Sequence, residues 1–299
     1  MNMPYAGRPA LVLSALCALI CLSACGPSER SGGADSAARD NVDAMSREHA
    51  DDVGTPSDAA VIAPERAVVA ETLPYAEVNN ELVYGHFVFP ADMVDPLPAL
   101  IVLHEWWGLN DGVRAMADRL AGEGYIVLAL DLFGGNSATT PAEARELMMS
   151  VVEDPESANE NIRQAYRFLQ EVADAPRVGT LGWCFGGGWS LNAAMLLPDE
   201  IDAAVIYYGQ VTDDEERLRL INAPILGLFG EDDNGIPVES VRSFESALER
   251  LRKNFKIEVY PGAQHAFANP SGRNYNAEVA EQAWQETLAF LDLHLSISD

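Results

Sequence analysis

Apolar residues in this chain gather in short unbroken runs set between amphipathic stretches. Ala99–Leu103 (ALIVL), Tyr125–Leu130 (YIVLAL), Ala203–Tyr208 (AAVIYY), Pro224–Phe229 (PILGLF) and Ile257–Tyr260 are each too short for a helix and apolar on both faces. Such runs mark parallel strands buried on both sides. Between them the period changes. Gly112–Ala121 places Val113, Met116, Ala117 and Leu120 on one face and is stopped by Gly124. Helices are also predicted over 142–152 and 158–173, separated by Asp154-Pro155, and over 238–251 and about 277–295. Ahead of these, Glu81–Phe89 (ELVYGHFVF) alternates like a strand and pairs as a hairpin with the segment around Val69–Tyr75. Buried strands alternating with amphipathic helices predict an α/β protein with a mostly parallel sheet covered on both faces. Ligands bind such sheets at the carboxyl ends of the strands.

The pattern does not reach the N-terminus. Met1–Pro9 with Arg8, followed by the apolar run Ala10–Leu22, reads as a signal peptide over residues 1–24. That run has roughly 13 residues, against the ~20 a membrane span needs. It ends in Leu22-Ser23-Ala24-Cys25, which resembles the lipobox of bacterial lipoproteins. The resemblance implies cleavage before Cys25, lipidation of its thiol and a place in the bacterial cell envelope. Residues 25–67 are rich in Gly, Ser, Ala, Asp and Arg without apolar period, and are expected to be a flexible tether. The globular domain is expected over 68–299.

Charge narrows the partners. With 46 acidic against 19 basic residues, the formal net charge is −27, so nucleic acid and anionic lipid surfaces are repelled. Membrane attachment is expected only through the N-terminal lipid. Of the four cysteines, Cys17 and Cys21 lie in the signal, Cys25 carries the lipid, and Cys184 is left alone in the domain. A single thiol in an oxidising compartment is either buried or used.

Cys184 sits in the centre of Gly182-Trp183-Cys184-Phe185-Gly186, between an apolar strand starting at Val178 and a helix running to Leu197. This is the nucleophile-elbow pattern G-x-Nuc-x-G, with cysteine as the nucleophile. The turn is tight, so the two glycines leave room for the neighbouring strand and helix. The helix N-terminus favours a thiolate and a developing oxyanion. On its own the motif fits a buried structural cysteine equally well. Two later loops change that balance. Glu231-Asp232-Asp233 follows PILGLF, and Gln264-His265 follows the Ile257 strand. The order nucleophile, acid, histidine is that of α/β-hydrolases. His265 serves as base, and Asp232 or Asp233 fixes its tautomer. After ALIVL comes His104-Glu105-Trp106-Trp107-Gly108-Leu109-Asn110. In α/β-hydrolases this loop gives one oxyanion-hole N–H and the residue after the nucleophile the other, here Trp106 and Phe185. Glu105 stands where a carboxylate reaches the thiol, and His104 is expected to pack and hydrogen-bond. No His, Cys or Asp cluster has the spacing of a metal site.

Together these pieces resemble the dienelactone hydrolase family, from roughly Tyr84 to the C-terminus. The matching motifs are His104-Glu105 with Gly108-Leu109-Asn110, Gly124-Tyr125 with Asp131-Leu132-Phe133, and Gly182-Trp183-Cys184-Phe185-Gly186-Gly187. Gly230-Glu231-Asp232-Asp233 with Pro237, and Tyr260-Pro261-Gly262-Ala263-Gln264-His265-Ala266-Phe267, complete them. The resemblance implies an α/β-hydrolase fold and hydrolysis of a small ester or lactone through a thioester on Cys184, without metal or cofactor. It selects Asp233 over Asp232 as the triad acid and makes Glu105 the residue that governs ionisation of the resting thiol. The family grips its substrate carboxylate with two arginines. One lies four residues after the histidine, where this chain has Asn269; the other aligns near Arg145. The loss at Asn269 favours a related carboxylic ester over the dienelactone itself. Two other classes remain open. One is a non-catalytic, lipid-anchored binding protein on a hydrolase fold. The other is thiol redox chemistry, which usually needs a resolving cysteine. Oligomeric state is not read from these patterns.

Overall fold

The computed structural model describes residues 31–297, so the signal peptide and Cys25 lie outside the described residues. One eight-stranded sheet organises the chain. Strands β1 (Val68–Val78) and β2 (Glu81–Pro90) form an antiparallel hairpin. Asn79 and Asn80 at its tip both have positive φ, 55° and 63°, the geometry that matches a two-residue turn to the twist of the strands. β2 runs antiparallel to β4 (Ile126–Ala129). From β4 onward every pairing is parallel, through β3 (Ala99–Leu103), β5 (Val178–Trp183), β6 (Ala203–Tyr207), β7 (Ile225–Gly230) and β8 (Phe255–Tyr260). The spatial order is β1-β2-β4-β3-β5-β6-β7-β8.

The apolar runs fill the middle of this sheet. All residues of β3, β4, β5, β6 and β7 are buried, as runs without alternation require. Edge strand β8 is largely half-buried and alternates more. The connecting helices are α2 (Asp111–Gly122), α3 (Pro141–Glu153), α4 (Pro155–Glu171), α5 (Phe185–Leu196), the single-turn α6 (Glu215–Leu218), α7 (Val238–Arg250) and α8 (Ala277–Leu295). Sequence chemistry sets where several of them begin. Thr140 and Glu143 form a capping box at α3 with Pro141 in its first turn, and Asp154 caps α4 just before Pro155. Among the described residues no helix is long and apolar enough to cross a membrane.

Of the segment expected to be a flexible tether, residues 31–67 are described. Ser31–Glu48 is a helix, α1, and a 3₁₀ turn follows at Asp58–Ala60 before β1. Val42 and Met45 of α1 are buried, as is His49 just beyond it. Their spacing of three and four places them on one helical face. Among the described residues four ion pairs fasten α1 and the residues just after it: Asp43 to Arg145 at 2.7 Å, Glu153 to Arg39 at 3.3 Å, Asp51 to Arg273 at 3.3 Å, and Asp52 to Arg273 at 3.6 Å. The first three are exposed, worth ~0–1 kcal/mol each. The buried face therefore does most of the holding. The sequence carries little sign of this packing, because a stripe of two apolar residues and one histidine is too short to register as amphipathic.

Candidate active site

The carboxyl ends of β3, β5, β6, β7 and β8 converge on Cys184. The thiol-bearing residue follows β5 directly, with φ 54° and ψ −117°, outside the regions an L-residue prefers. Its own N–H donates to the Tyr207 carbonyl at 3.0 Å, which ties the turn to β6. The glycines on either side are sterically required. A Cβ on Gly182 would lie 2.1 Å from the Gly186 carbonyl oxygen, and one on Gly186 would lie 2.1 Å from the Leu103 carbonyl oxygen. Two neighbouring strand ends carry similar backbone strain, at Tyr208 (φ 36°) after β6 and at Ala266 (φ 60°) after β8. Strained non-glycine residues gathered in one place are a feature of functional sites.

His265, from the loop after β8, is fully buried, and its Nδ1 donates to Asp233 Oδ2 at 2.7 Å. The other carboxylate oxygen of Asp233 accepts the N–H groups of Gly235 and Ile236, each at 2.8 Å. The loop after β7 thus presents Asp233 inward, while Asp232 is exposed. With Nδ1 committed to Asp233, the Nε2 of His265 is the atom left to face the thiol. Cys184 Sγ lies within 4.8 Å of a ring nitrogen of His265. Burial alone would push the thiol pKa up. The adjacent imidazolium of His265, and after it the neighbouring His49 ring, outweigh burial and bring it down to about 6. Burial likewise pulls His265 down, but the charges of Asp233 and the thiolate raise it well above its ordinary value. The two shifts describe one thiolate–imidazolium pair.

Glu105 follows β3, and both of its carboxylate oxygens have partners other than the sulfur. Its Oε2 accepts from Asn269 Nδ2 at 2.6 Å, and its Oε1 takes a long contact from the Tyr208 hydroxyl at 3.5 Å. Burial, and then the nearby thiolate, push its carboxyl up to about 7. Two acids that oppose each other this way share their titration. The thiol, at about 6, ionises ahead of Glu105, at about 7, so the carboxylate opposes the thiolate only where both titrate, near pH 7 and above. Replacing Glu105 with Gln removes that opposing charge and leaves more of the thiol ionised there. Iodoacetamide should alkylate Glu105→Gln faster than wild type there; equal rates across the titration would leave Glu105 a packing residue.

The remaining sequence candidates are dispersed. Asn269 sits at the site but spends its amide on Glu105 and its Oδ1 on the Ser271 N–H. Arg145 does not reach the thiol; it pairs with Asp43 on the surface of α1. Trp106 and Phe185 flank the elbow, with Trp106 fully buried. His104 donates from Nδ1 to the Glu105 carbonyl at 2.7 Å and accepts the Leu132 N–H on Nε2 at 3.1 Å, a packing role as expected.

One participant was missed. His49 of the N-terminal segment stacks on Trp106, with ring centroids 4.8 Å apart, and meets His265 edge-on at 5.1 Å. Met45 of α1 lies over the sulfur, 3.5 Å between Sδ and Sγ. Folding therefore brings His49, Cys184 and His265 into a group whose ligand atoms all lie within 4.8 Å of one another. These residue types bind soft metal ions, and no local spacing announces the group because His49 is 135 positions before Cys184. Beside the thiol, a cavity of about 260 Å³ is walled by Val42, Met45, Met148, Val152, Phe185 and Trp189. It is mostly apolar, with Arg217 and Gln210 among its polar lining residues.

Residues 84–295 match the model of the dienelactone hydrolase family. The chain belongs to that family. It is 31% identical over 243 residues to a Saccharolobus solfataricus protein that bears the name carboxymethylenebutenolidase, covering 68% of this chain and 92% of that protein. A Klebsiella pneumoniae crystal structure bearing the name dienelactone hydrolase is 28% identical with a TM-score of 0.68, covering 75% of this chain and 98% of that one. A dienelactone hydrolase-like promiscuous phosphotriesterase from metagenomic libraries has a TM-score of 0.70 at 22% identity, covering 77% and 100%, and shares the fold. These likenesses and the sheet order establish the α/β-hydrolase fold. The family match begins within β2, so α1, His49 and β1 lie outside it.

Proposed function

We propose that this dienelactone hydrolase family member hydrolyses carboxylic esters or lactones through a thioester on Cys184, with His265 and Asp233 as base and acid of the triad. The observation that carries this reading is the pairing at the elbow: a strained cysteine at a helix N-terminus within 4.8 Å of an imidazole whose other nitrogen is held by a buried carboxylate. The thiolate attacks the substrate carbonyl, and the carbonyl π pair moves to oxygen. Backbone N–H groups of Trp106 and Phe185 receive that charge. Collapse expels the alcohol, which takes the proton from His265 Nε2. Water then cleaves the thioester. The apolar cavity beside Cys184 suits an uncharged acyl or alkyl group, and Asn269 offers no charge to hold a substrate carboxylate. Both favour a neutral ester over the dienelactone.

Turnover of a panel of small neutral esters and lactones, with the dienelactone included, tests the reaction. Asp233→Asn should lower kcat by about 10²-fold or more by disturbing the histidine tautomer. Asp232→Asn, at an exposed position, should stay near wild type. The reverse ranking would assign the acid wrongly, and a panel without turnover would favour a non-catalytic binding protein on this fold.

The lipoprotein reading gives the enzyme its proposed place: anchored by lipid at Cys25 in a bacterial cell envelope. It rests on the Leu22-Ser23-Ala24-Cys25 motif. Mass spectrometry of protein from native cells should find a mature chain that begins at diacylated Cys25; an intact leader or a free Cys25 thiol would refute it.

A further inference from the structure

The reaction described above leaves one buried pair unused. His49 is 3% exposed, and its Nδ1 donates to Asp52 Oδ2 at 2.7 Å. Asp52 also lies 3.6 Å from the Arg273 guanidinium, so its carboxylate is anchored on both sides. Stacking on Trp106 fixes the plane of the ring. The remaining nitrogen, Nε2, is buried without a hydrogen-bond partner, as is Nε2 of His265. Leaving a buried polar atom unpaired costs ~1–3 kcal/mol. A position oriented this thoroughly, with its free nitrogen turned to the reacting sulfur, has the construction of an acid–base residue.

The arrangement repeats that of His265 and Asp233: imidazole, carboxylate on Nδ1, Nε2 toward Sγ. Two chemistries use such a group. A metal ion bound by both imidazoles and the thiolate would draw its ligands to ~2.0–2.3 Å from one centre, closer together than separations of up to 4.8 Å. The same three atoms, all within 4.8 Å of one another, can also close on an acyl carbon and a water. Proton transfer from such a water needs an imidazole oriented as His49 is.

We propose that His49, oriented by Asp52, is a second catalytic imidazole of this enzyme and the base that activates water against the Cys184 thioester. The proposal rests on the thioester reading above. In acylation the S–C bond forms and the C–O bond to the alcohol breaks, the alcohol leaving with the His265 proton. In deacylation a water proton passes to His49 Nε2 while the water oxygen bonds to the acyl carbon. The C–S bond breaks, its electron pair returns to sulfur, and the carboxylic acid departs. The proton gained by His49 then passes through the thiol to His265, which restores the starting pair. Water and ester are consumed, acid and alcohol are released, and no other reactant is needed. The N-terminal segment, outside the family match, would thus supply the second half of the catalytic cycle.

The full chain with p-nitrophenyl acetate tests this. His49→Ala should show a burst of about one p-nitrophenolate per enzyme, then a steady rate lowered by roughly 10²-fold. Acyl-Cys184 should accumulate in quenched samples, and added imidazole should restore deacylation. Asp52→Asn, which keeps the ring, should slow the same step less. Far-UV circular dichroism, and an acylation rate slowed far less than deacylation, separate these effects from loss of fold. Should His49→Ala disturb folding, His49→Gln and Asp52→Asn carry the same step-specific expectation. Equal slowing of both steps without imidazole rescue, or no slowing of either, would overturn the assignment of His49. A wild-type chain that never acylates Cys184 would instead bring down the hydrolase reading itself.

Discussion

Cys184→Ala and His265→Ala are each expected to lower kcat for ester hydrolysis by about three or more orders of magnitude. The two losses should not add, because in the proposed reaction thiolate and imidazolium act as one unit. Each side chain shifts the ionisation of the other: His265 brings the thiol down to about 6, and the thiolate helps raise His265. Removing the imidazole takes away both the proton donor and the charge that keeps the buried sulfur ionised. The thiol then moves upward with burial, and the nucleophile is lost at neutral pH even though the cysteine remains. A double variant should be no slower than either single one by more than about threefold. The pH dependence follows from the same pair. Activity should rise as pH passes upward through the thiol pKa of about 6, where the nucleophile ionises. In His265→Ala that acid limb should move to higher pH. Full multiplicative loss in the double variant, or an unmoved limb, would mean that the two residues work separately.

Gly186→Ala is expected to destabilise the fold by at least about 3 kcal/mol, since overpacking against fixed backbone has little room for relief. The new Cβ would sit 2.1 Å from the Leu103 carbonyl oxygen and 2.6 Å from that of His104. Both belong to the β3 end and its loop. Any relaxation must push α5 away from the sheet, and Cys184 moves with it. The melting temperature should therefore fall by roughly 10 °C, and activity should fall further than stability alone explains. Gly188, two residues later in α5, provides the contrast. Its Cβ would meet only Gln210 at 3.4 Å, an ordinary contact. In a helix interior, alanine there should be neutral or stabilise by ~0.5–1 kcal/mol. Thermal unfolding of the two variants side by side reads the difference. Equal stability would mean that the elbow is looser than these distances require.

Much of this was legible in the sequence, for identifiable reasons. The sheet was read from runs such as ALIVL and AAVIYY because a strand buried on both faces must be apolar at every position. The elbow glycines were read because a tight turn at a strand end leaves little choice of residue. The order of cysteine, acid and histidine was read because α/β-hydrolases share it, and Asp233 rather than Asp232 through the family resemblance. Asp233 and His265 do meet at 2.7 Å. Helix α1 and His49 were not legible. Their place is set by contacts across the whole chain: Met45 against Cys184, His49 against Trp106, Asp51 and Asp52 against Arg273. A histidine in a polar stretch carries no local signature of the pocket it will enter. Arg145 was placed near the site by resemblance to the family; in the structure it pairs with Asp43 on α1, a helix the sequence did not announce. Likewise, nothing local could show that Asn269 would be bonded to Glu105.

The account stands most directly on the covalent intermediate. Rapid acid quench of the enzyme during turnover of a neutral ester, followed by peptide mass spectrometry, should find the acyl mass on the peptide that contains Cys184. That adduct should be released by hydroxylamine and be absent from Cys184→Ala. Ester turnover with no acylated Cys184 at any quench time, and with activity retained in Cys184→Ala, would contradict it.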